Sequence, residues 1–265
     1  MKQCYHINLI RQFLILKGAV KLMKAAYLFV DPEISVMILK GKLKNCNDEH
    51  VLNHQIDLYL RYLAYDKIFI SIPESCLYLV REQLSQEDHK FVEVFSYSEE
   101  QSPFYNLMRL PNEISLLTVM DLSLIIKPES LRAYCQSIDS GERALIERIS
   151  EEQITEFSSS ILMSLHPTFE GYQLSRNFGF EILDHPHTEE LLFNIIPILS
   201  LSEERIDYYK QLKYRERELF AYQIFDMIST ISNCAMIEYD ANGSIYFKIS
   251  NLSDFWKISK DYLTK

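Results

Sequence analysis

Short apolar runs alternate with segments of helical periodicity along the first half of the chain. Ala25–Val30 is a continuous apolar run typical of a buried strand, and Val51–Leu63 spaces its apolar residues as an amphipathic helix does. A second strand-like run, Lys67–Ile72, is closed by Pro73. The pattern therefore predicts a β-α-β unit.

Two more apolar runs, Phe91–Phe95 and Ile114–Met120, predict further strands. Strands that alternate with helices pair mainly in parallel, through right-handed crossovers, and are covered by helices on both faces. The expected fold is thus α/β, with a mainly parallel, Rossmann-like sheet. In such a sheet the ligand crevice lies beyond the carboxyl ends of the strands.

Helical periodicity dominates after Pro128. One strand is predicted over Phe178–Leu183. The helices predicted in this part of the chain are Ser130–Ile138, Gly141–Ser150, Glu151–Ser164 and Thr188–Ile196.

The carboxyl-terminal part predicts a helical appendage that contains a β-hairpin. A long helix is expected over Ser202–Met227, and residues 240–244 (DANGS) have the sequence of a tight hairpin turn. The apolar stripe from Tyr208 to Phe225 is interpreted as core or as a homodimer face. We therefore divide the chain into a basic extension (1–22), an α/β domain (23–200) and an appendage (201–265).

Composition and charge limit the classes of protein to consider. Hydrophobic residues make up 48% of the chain and charged residues 24%, as in compact globular proteins. The net charge of −10 argues against nucleic acid as a partner, because backbone binders are basic. The five cysteines include no Cys-x-x-Cys pair, which favours the cytoplasm over a disulfide framework or a zinc site.

The first 24 residues carry five basic residues and no acidic one. Charged residues interrupt their apolar runs, so neither a transmembrane segment nor a signal peptide is predicted. Two interpretations stay open: a basic helix that contacts a membrane surface or a partner, and residues placed before a natural start at Met23. We favour the second because Met23 directly precedes the first predicted strand.

A single carboxylate, Asp121, ends the most apolar of the predicted strands. Its place at the expected crevice suits a hard divalent cation, which binds oxygen ligands and positions the phosphates of a nucleotide. The alternative is that Asp121 caps a turn and that Pro128-Glu129-Ser130 starts the next helix.

His185 and His187 form a second cluster with chemical potential. Two imidazoles two residues apart can ligate a transition metal, whereas the alternative is a solvated helix start capped by Thr188. The chain has no Walker loop, no Gly-x-Ser-x-Gly, no Gly-x-Gly-x-x-Gly and no His-Glu-x-x-His, which removes the standard NTPase, hydrolase, dinucleotide and zincin classes.

Six segments between Met23 and Ile196 occur in a recognisable order. They are residues 25–30 (AAYLFV), 40–43 (KGKL), 51–63 (VLNHQIDLYLRYL), 66–73 (DKIFISIP), Asp121 with Pro128-Glu129, and residues 175–182 (SRNFGFEI). In this order they resemble the GT-A-type sugar nucleotidyltransferases, particularly the cytidylyltransferase branch related to spore-coat polysaccharide biosynthesis. The resemblance implies a GT-A fold.

The same resemblance implies roles for individual residues. Asp121 and Glu181 would hold Mg²⁺ or Mn²⁺, while Lys40, Lys42 and Arg176 would approach the phosphates. Two features depart from the family pattern. Residues 31–35 (DPEIS) replace the family's glycine-rich phosphate loop, and Gly179 occupies the place of its second metal-binding aspartate.

The leading hypothesis is a metal-assisted transferase of GT-A type, acting on a nucleotide or nucleotide-sugar in surface polysaccharide or sugar metabolism. It is a nucleotidyltransferase-like enzyme or a glycosyltransferase. The alternative is a noncatalytic, diverged relative that serves as an interaction or scaffold protein. A third possibility is a Rossmann-like domain outside the GT-A group that binds its ligand without metal.

Overall fold

A computed structural model describes residues 23–43, 49–98, 100–137, 143–148, 162–168, 171–178, 191–212, 237–239 and 246–248. Within these ranges, no helix has the length and apolar character needed to cross a membrane.

Thirteen strands are described, nine of which form one mixed sheet. In chain order they are β1 (Met23–Phe29), β2 (Lys42–Leu43), β3 (Glu49–His50), β4 (Lys67–Pro73), β5 (Val92–Tyr97), β6 (Ile114–Asp121), β7 (Leu124–Ile126), β8 (Arg143–Arg148), β9 (Leu162–Thr168), β10 (Gly171–Phe178), β11 (Leu191–Ser202), β12 (Ile237–Tyr239) and β13 (Tyr246–Lys248). The main path of the large sheet is β10-β9-β11-β6-β1-β4-β5.

The half of the sheet formed by β6, β1, β4 and β5 is parallel. β1 lies between β6 and β4, and its apolar residues are buried on both faces of the sheet. In register, Phe29 of β1 lies opposite Ser71 of β4 and Asp121 of β6. The predicted α/β fold is confirmed, and the predicted strands of this half differ from the observed ones by only one or two residues at their ends.

Five α-helices are described: α1 (Ser35–Lys40), α2 (Val51–Asp57), α3 (Leu77–Gln83), α4 (Pro128–Ser137) and α5 (Glu203–Leu212). A π-helical turn, Leu58–Tyr62, extends α2, and short 3₁₀ segments cover Glu74–Cys76, Asp88–Lys90 and Pro103–Arg109.

Helices cover both faces of the parallel half. Apolar side chains from α1 to α4 pack with alternate residues of β1 and β4, such as Leu28 and Ile70, in the main core. The other face is covered by the 3₁₀ segment Pro103–Arg109 and by α5, which contact each other and the strands beneath. Because the central strands are covered on both sides, they read as continuous apolar runs in the sequence.

Two helices predicted after Pro128 are strands in the structure. Gly141–Ser150 contains β8, and Thr188–Ile196 overlaps β11. β11 pairs antiparallel with β6, β8 and β9, so it occupies the interior of the sheet. A short apolar run fits a buried strand as well as a buried helix, and Pro197, directly after the predicted helix, fits a helix end as well as the irregularity that β11 has between Ile196 and Leu199.

Of the predicted strand Phe178–Leu183, only Phe178 lies among the described residues. The observed strand is β10, which starts at Gly171 and is described as far as Phe178, antiparallel to β9. The predicted helix Glu151–Ser164 ends inside β9, while residues 151–161 lie outside the described ranges.

The described strands on either side of residues 240–244 do not form the predicted hairpin. β12 pairs in parallel with β8, whereas β13 pairs antiparallel with β7. Each strand instead adds to a strand of the α/β part. The turn itself lies outside the described residues, and the division at residue 200 stays a prediction.

The helix that follows β11 begins as predicted. The Ser202 hydroxyl oxygen accepts a hydrogen bond from the Arg205 backbone N–H at 3.4 Å, and Glu203 and Glu204 occupy the first turn. Tyr209 is 1% exposed and Tyr208 is 41% exposed, so the start of the predicted dimer stripe divides between core and surface. Residues 213–225 lie outside the described ranges, and the homodimer stays a prediction.

Candidate functional site

Asp121 is the last residue of β6, at the edge where all four parallel strands have their carboxyl ends. Its side chain is 2% exposed, and the carboxylate atom Oδ1 accepts the backbone N–H of Ser123 at 2.8 Å. The two interpretations of Asp121, as the cap of a turn and as a carboxylate at the ligand-binding edge, are therefore compatible. Asp121 stabilises the turn into β7, and it also places a negative charge at the edge where α/β proteins bind ligands.

Near Asp121, β11 changes its partner on one edge from β6 to β9. Ile198 of β11 lies opposite Met120 of β6, while Asn194 lies opposite Leu162 at the start of β9. β6 ends one residue later, at Asp121, so about three residues of β11, or about 10 Å at about 3.3 Å per residue, separate the end of β6 from the start of β9. β6 and β9 therefore follow one another along the same edge of β11, and the Asp121 end of β6 faces the start of β9.

The connection from β1 to α1 borders the same edge. The Phe29 carbonyl oxygen accepts the Leu122 backbone N–H at 2.7 Å, which joins the end of β1 to the turn after Asp121. Residues 31–33, Asp-Pro-Glu, follow directly and carry two carboxylates. The edge that would receive a phosphate group is therefore acidic on the β1 side.

Gln55 of α2 ties the helical layer to β7. It is fully buried, and its amide Nε2 donates to the Leu124 carbonyl oxygen at 2.9 Å. The Gln55 Oε1 and Ser123 Oγ atoms are buried and have no hydrogen-bond partner within the described part of the chain. Buried polar atoms are usually hydrogen-bonded, so these two atoms are places where a water molecule or a polar ligand group could bind, and Ser123 lies two residues after Asp121.

Replacing Gln55 by leucine should lower the free energy of unfolding by about 1–3 kcal/mol, because it leaves the buried Leu124 carbonyl without a donor. Urea denaturation measures the loss. Gln83→Leu is the matched comparison, since Gln83 donates to the Leu39 carbonyl at 2.6 Å from a partly exposed position. Equal losses in the two variants would contradict a special role for the Gln55 contact.

The lysines that the resemblance assigns to phosphate lie between α1 and α2. Lys40 ends α1 and Lys42 lies in β2, and both side chains are exposed. Lys42 lies opposite His50, the residue that precedes α2. Their contact with phosphate stays a prediction.

His54 lies on the first turns of α2, with its Nδ1 atom 3.6 Å from the Glu49 carboxylate oxygen. Burial lowers the pKa of the His54 imidazole below its ordinary 6.5, and the nearby Asp57 carboxylate offsets only part of that effect. Burial raises the pKa of Glu49, with the Asp57 charge adding to the rise. His54 is therefore neutral near pH 7, without a catalytic charge.

Acidification from pH 7.5 to 5.5 should destabilise the protein through His54. Because the folded-state pKa is lowered, the unfolded state binds more protons below about pH 6.5, and stability is lost as the pH falls. The raised pKa of Glu49 acts in the opposite sense above pH 4.5, so the comparison must isolate His54. Urea unfolding at both pH values should give a smaller loss for His54→Gln than for the wild type, and equal losses would contradict the prediction.

The 3₁₀ segment Pro103–Arg109 covers the sheet beside the site and was missed in the sequence. Its Pro103 carbonyl oxygen accepts hydrogen bonds from the Tyr27 hydroxyl at 2.6 Å and the Ser71 hydroxyl at 2.7 Å. Ser102 caps it by accepting the Phe104 backbone N–H at 3.0 Å. The sequence signal was Ser102-Pro103, a capping residue followed by a proline in the first helical position.

A second polar cluster lies on the helical face of β6 and β11. The Tyr65 and Thr118 hydroxyl groups are 2.7 Å apart, and the Ser200 hydroxyl donates to the Tyr134 hydroxyl oxygen at 3.1 Å. Cys135 Sγ lies 3.4 Å from the Tyr65 hydroxyl, and burial raises the pKa of its thiol. Cys135 is thus a protonated, inert thiol rather than a nucleophile.

The structure brings no metal cage together in the ranges it describes, where no three His, Cys, Asp or Glu side chains gather. Glu181, His185 and His187 lie outside these ranges. Arg176 lies in β10, the outer strand beyond β9. The assignment of Arg176 to phosphate and of Glu181 to metal therefore stays a prediction.

Several solved structures share this arrangement over nearly their whole length. The 4-diphosphocytidyl-2C-methyl-D-erythritol synthase of Anaerococcus prevotii is 13% identical, with a TM-score of 0.56 over 92% of this chain and 99% of that one. A CMP:2-keto-3-deoxy-manno-octonic acid synthetase complexed with CTP is 12% identical, with a TM-score of 0.59 over 89% and 97%. The inositol-1-phosphate CTP transferase of T. maritima is 9% identical, with a TM-score of 0.60 over 92% and 98%.

The chain has a nucleotidyltransferase-like fold. At 9–13% identity the likeness to these proteins is one of fold. No protein-family model matches the sequence, and the search of curated proteins gives no match. The predicted resemblance is thus confirmed at the level of the nucleotidyltransferase fold, and its spore-coat branch stays a prediction.

Proposed function

We propose that this protein binds a nucleotide or nucleotide-sugar at the carboxyl edge of the parallel strands, beside Asp121, and acts as a metal-assisted transferase in surface polysaccharide or sugar metabolism. The observation that carries the proposal is the buried Asp121 carboxylate, which ends an interior strand at the carboxyl edge of a nucleotidyltransferase-like sheet. The buried Ser123 oxygen, two residues further along the chain, supports a polar contact there.

The donor chemistry fits Mg²⁺ or Mn²⁺. Magnesium keeps several waters and is commonly bound by one or two carboxylates together with substrate phosphates, so it needs no cage of three side chains. Asp121 supplies one oxygen ligand, and we propose Glu181 as the second. When bound, the cation would neutralise charge on the phosphates of the ligand.

The remaining assignments concern phosphate and reaction class. Lys40, Lys42 and Arg176 are the proposed cations, because a phosphate group needs positive charge in addition to the metal. The neighbour solved with CTP supports a cytidine nucleotide as one of the ligands to test. The proposed compartment is the cytoplasm, in keeping with the free thiols of Cys76 and Cys135.

A binding screen tests the proposal. Purified protein is heated with CTP, UTP, GTP, ATP and common nucleotide-sugars, each with Mg²⁺, with Mn²⁺ or with EDTA. A ligand that binds only the folded state raises the melting temperature. We expect a rise that requires both nucleotide and metal. A cooperative melting curve that no ligand shifts would overturn the proposal and favour the noncatalytic interaction protein.

A further inference from the structure

The buried face of α2 contains a polar side chain among apolar ones. Its buried residues are Val51, Leu52, Gln55 and Ile56. Removing a primary amide from water costs free energy unless hydrogen bonds replace its contacts with solvent. Within the described part of the chain, the Gln55 amide makes one hydrogen bond, from Nε2 to the Leu124 carbonyl oxygen at 2.9 Å, and Oε1 makes none. This contact is therefore what the structure gains from an amide at this position.

The carbonyl that Gln55 holds belongs to the turn that carries Asp121. Residues 121–124 join β6 to β7, and each is at most 2% exposed. The Leu122 backbone N–H donates to the Phe29 carbonyl oxygen at 2.7 Å, and the Ser123 backbone N–H donates to Asp121 Oδ1 at 2.8 Å. The turn is thus held from β1, from within and, at its end, from α2.

The strand after the turn depends on directional contacts. β7 lies outside the nine-stranded sheet, and among the described residues its partner strand is β13, over three residue pairs. Two-stranded ribbons are marginally stable on their own. The apolar side chains of β7 pack in the main core, but apolar packing is non-directional and does not orient the backbone. Gln55 supplies a directional contact at the first residue of β7.

The Gln55 contact is close along the backbone to the group that orients the carboxylate. Only the φ and ψ angles of Ser123 and Leu124 separate the Ser123 N–H from the Leu124 carbonyl, because the peptide units between them are planar. Releasing this carbonyl allows those angles to change, and the Ser123 N–H then moves relative to Asp121. Groups that orient a metal-binding side chain in this way commonly affect metal affinity about as strongly as 10–100-fold.

We propose that Gln55 is a positioning residue for the Asp121 carboxylate. By holding the Leu124 carbonyl, it keeps the Ser123 N–H and the carboxylate in the arrangement that binds the cation of a metal–nucleotide ligand. The inference rests on the proposed function, because it assumes that Asp121 binds this cation. It extends the site to the helical layer, from which α2 contributes a side chain that acts through the backbone of the turn.

The test uses two variants that remove the amide. These are Gln55→Leu and Gln55→Met, and methionine keeps the length of the side chain if leucine does not fold. Gln83→Leu and Gln83→Met are matched controls. Gln83 of α3 also donates Nε2 to a backbone carbonyl, that of Leu39 at 2.6 Å, and its Oε1 is also buried without a partner in the described ranges. Leu39 belongs to α1, so these controls leave residues 121–124 untouched. Urea unfolding verifies that each variant is folded.

Two readouts separate positioning from stability alone. Amide hydrogen exchange followed by NMR reports the Ser123 N–H, and we expect exchange at least about tenfold faster in the Gln55 variants than in the Gln83 variants. Electron paramagnetic resonance measures Mn²⁺ binding, alone and with CTP, UTP, GTP, ATP and common nucleotide-sugars. The affinity for Mn²⁺ should fall about tenfold or more in the Gln55 variants and stay within about twofold in the controls.

A double-mutant cycle tests whether Gln55 acts through Asp121. In the Asp121→Asn background, removal of the Gln55 amide should lower Mn²⁺ affinity by no more than about twofold, because the group that it positions is already lost. Additive losses would mean that Gln55 affects the ligand by another route.

Four results would overturn the inference and leave the proposed function standing. They are unchanged exchange of the Ser123 N–H, unchanged Mn²⁺ affinity in the Gln55 variants, an equal loss of affinity in the Gln83 variants, and additivity with Asp121→Asn. If the wild type binds no Mn²⁺, alone or with any of the nucleotides, the proposed function fails, and the inference fails with it.

Discussion

Replacing Asp121 by asparagine should lower the affinity for a metal-bound nucleotide or nucleotide-sugar about 100-fold or more and leave the fold intact. A unit charge about 4 Å from a cation contributes about 4 kcal/mol at an effective dielectric constant of about 20, and about 1.4 kcal/mol corresponds to tenfold in affinity. Asparagine keeps an oxygen that can accept the Ser123 backbone N–H. Calorimetric titration with Mg²⁺ and with EDTA measures the change.

Asp66→Asn is the matched control for this variant. The Asp66 carboxylate also accepts a backbone N–H, that of Lys24 at 3.0 Å, but it lies at the amino edge of the same strands. Its replacement should leave ligand affinity within about twofold. If Asp121→Asn binds metal-bound nucleotide as the wild type does, Asp121 serves only the turn and the metal assignment is wrong.

Replacing Phe104 by alanine should lower the free energy of unfolding by about 3–5 kcal/mol. Phe104 is 1% exposed, and its ring packs edge-to-face on Phe29 at a centroid distance of 4.9 Å. The substitution removes both the buried apolar area and this aromatic contact. Because domains are stable by about 5–15 kcal/mol, the loss is a large fraction of the total, and urea denaturation will resolve it.

Phe91→Ala is the comparison for Phe104→Ala. Phe91 is 47% exposed at the start of the β5 region, so its truncation should change stability by no more than about 0.5 kcal/mol. A loss below about 1 kcal/mol for Phe104→Ala would show that the segment Pro103–Arg109 is not packed on the sheet. Phe29 lies opposite Asp121, so the stability of this contact also bears on the site.

The parallel half of the fold is readable from the sequence because its signals are local. β1, β4 and β6 are mainly apolar runs, β5 alternates apolar and polar residues, and α2 has helical periodicity between two of these strands. Parallel pairing then follows from the alternation of strand and helix. The residue at the end of the last run, Asp121, is placed at the correct edge by the same rule.

The antiparallel half of the sheet cannot be predicted in this way, because its segments become strands through pairing with strands that are distant in sequence. β8 carries charges at both ends of a short apolar stretch, and its six residues fit one turn and a half of helix equally well. β11 contains Pro197 at an irregularity of the β11–β8 pair between Ile196 and Leu199, but a proline directly after Ile196 also fits the end of a helix. Only the pairing in space distinguishes these alternatives.

The residues near Asp121 also differ in how far the sequence predicts their contacts. The acidic character of Asp31 and Glu33 is visible in the sequence, but the hydrogen bond from the Glu33 backbone N–H to the Asp31 carboxylate is known only from the structure. Gln55 reads as an ordinary polar residue of an amphipathic helix, and its contact with Leu124 joins residues 69 positions apart. Long-range hydrogen bonds of this kind have no local sequence signal.

The pairing of β13 with β7 also orders events during synthesis of the chain. β13 (Tyr246–Lys248) pairs with β7 (Leu124–Ile126), which begins three residues after Asp121. The ribosome therefore makes Asp121 long before the strand that pairs beside it, and β7 lacks the one strand partner it has among the described residues until residue 248 has emerged. Contacts so distant in sequence form late, so the surroundings of Asp121 should be among the last parts of the newborn protein to be completed.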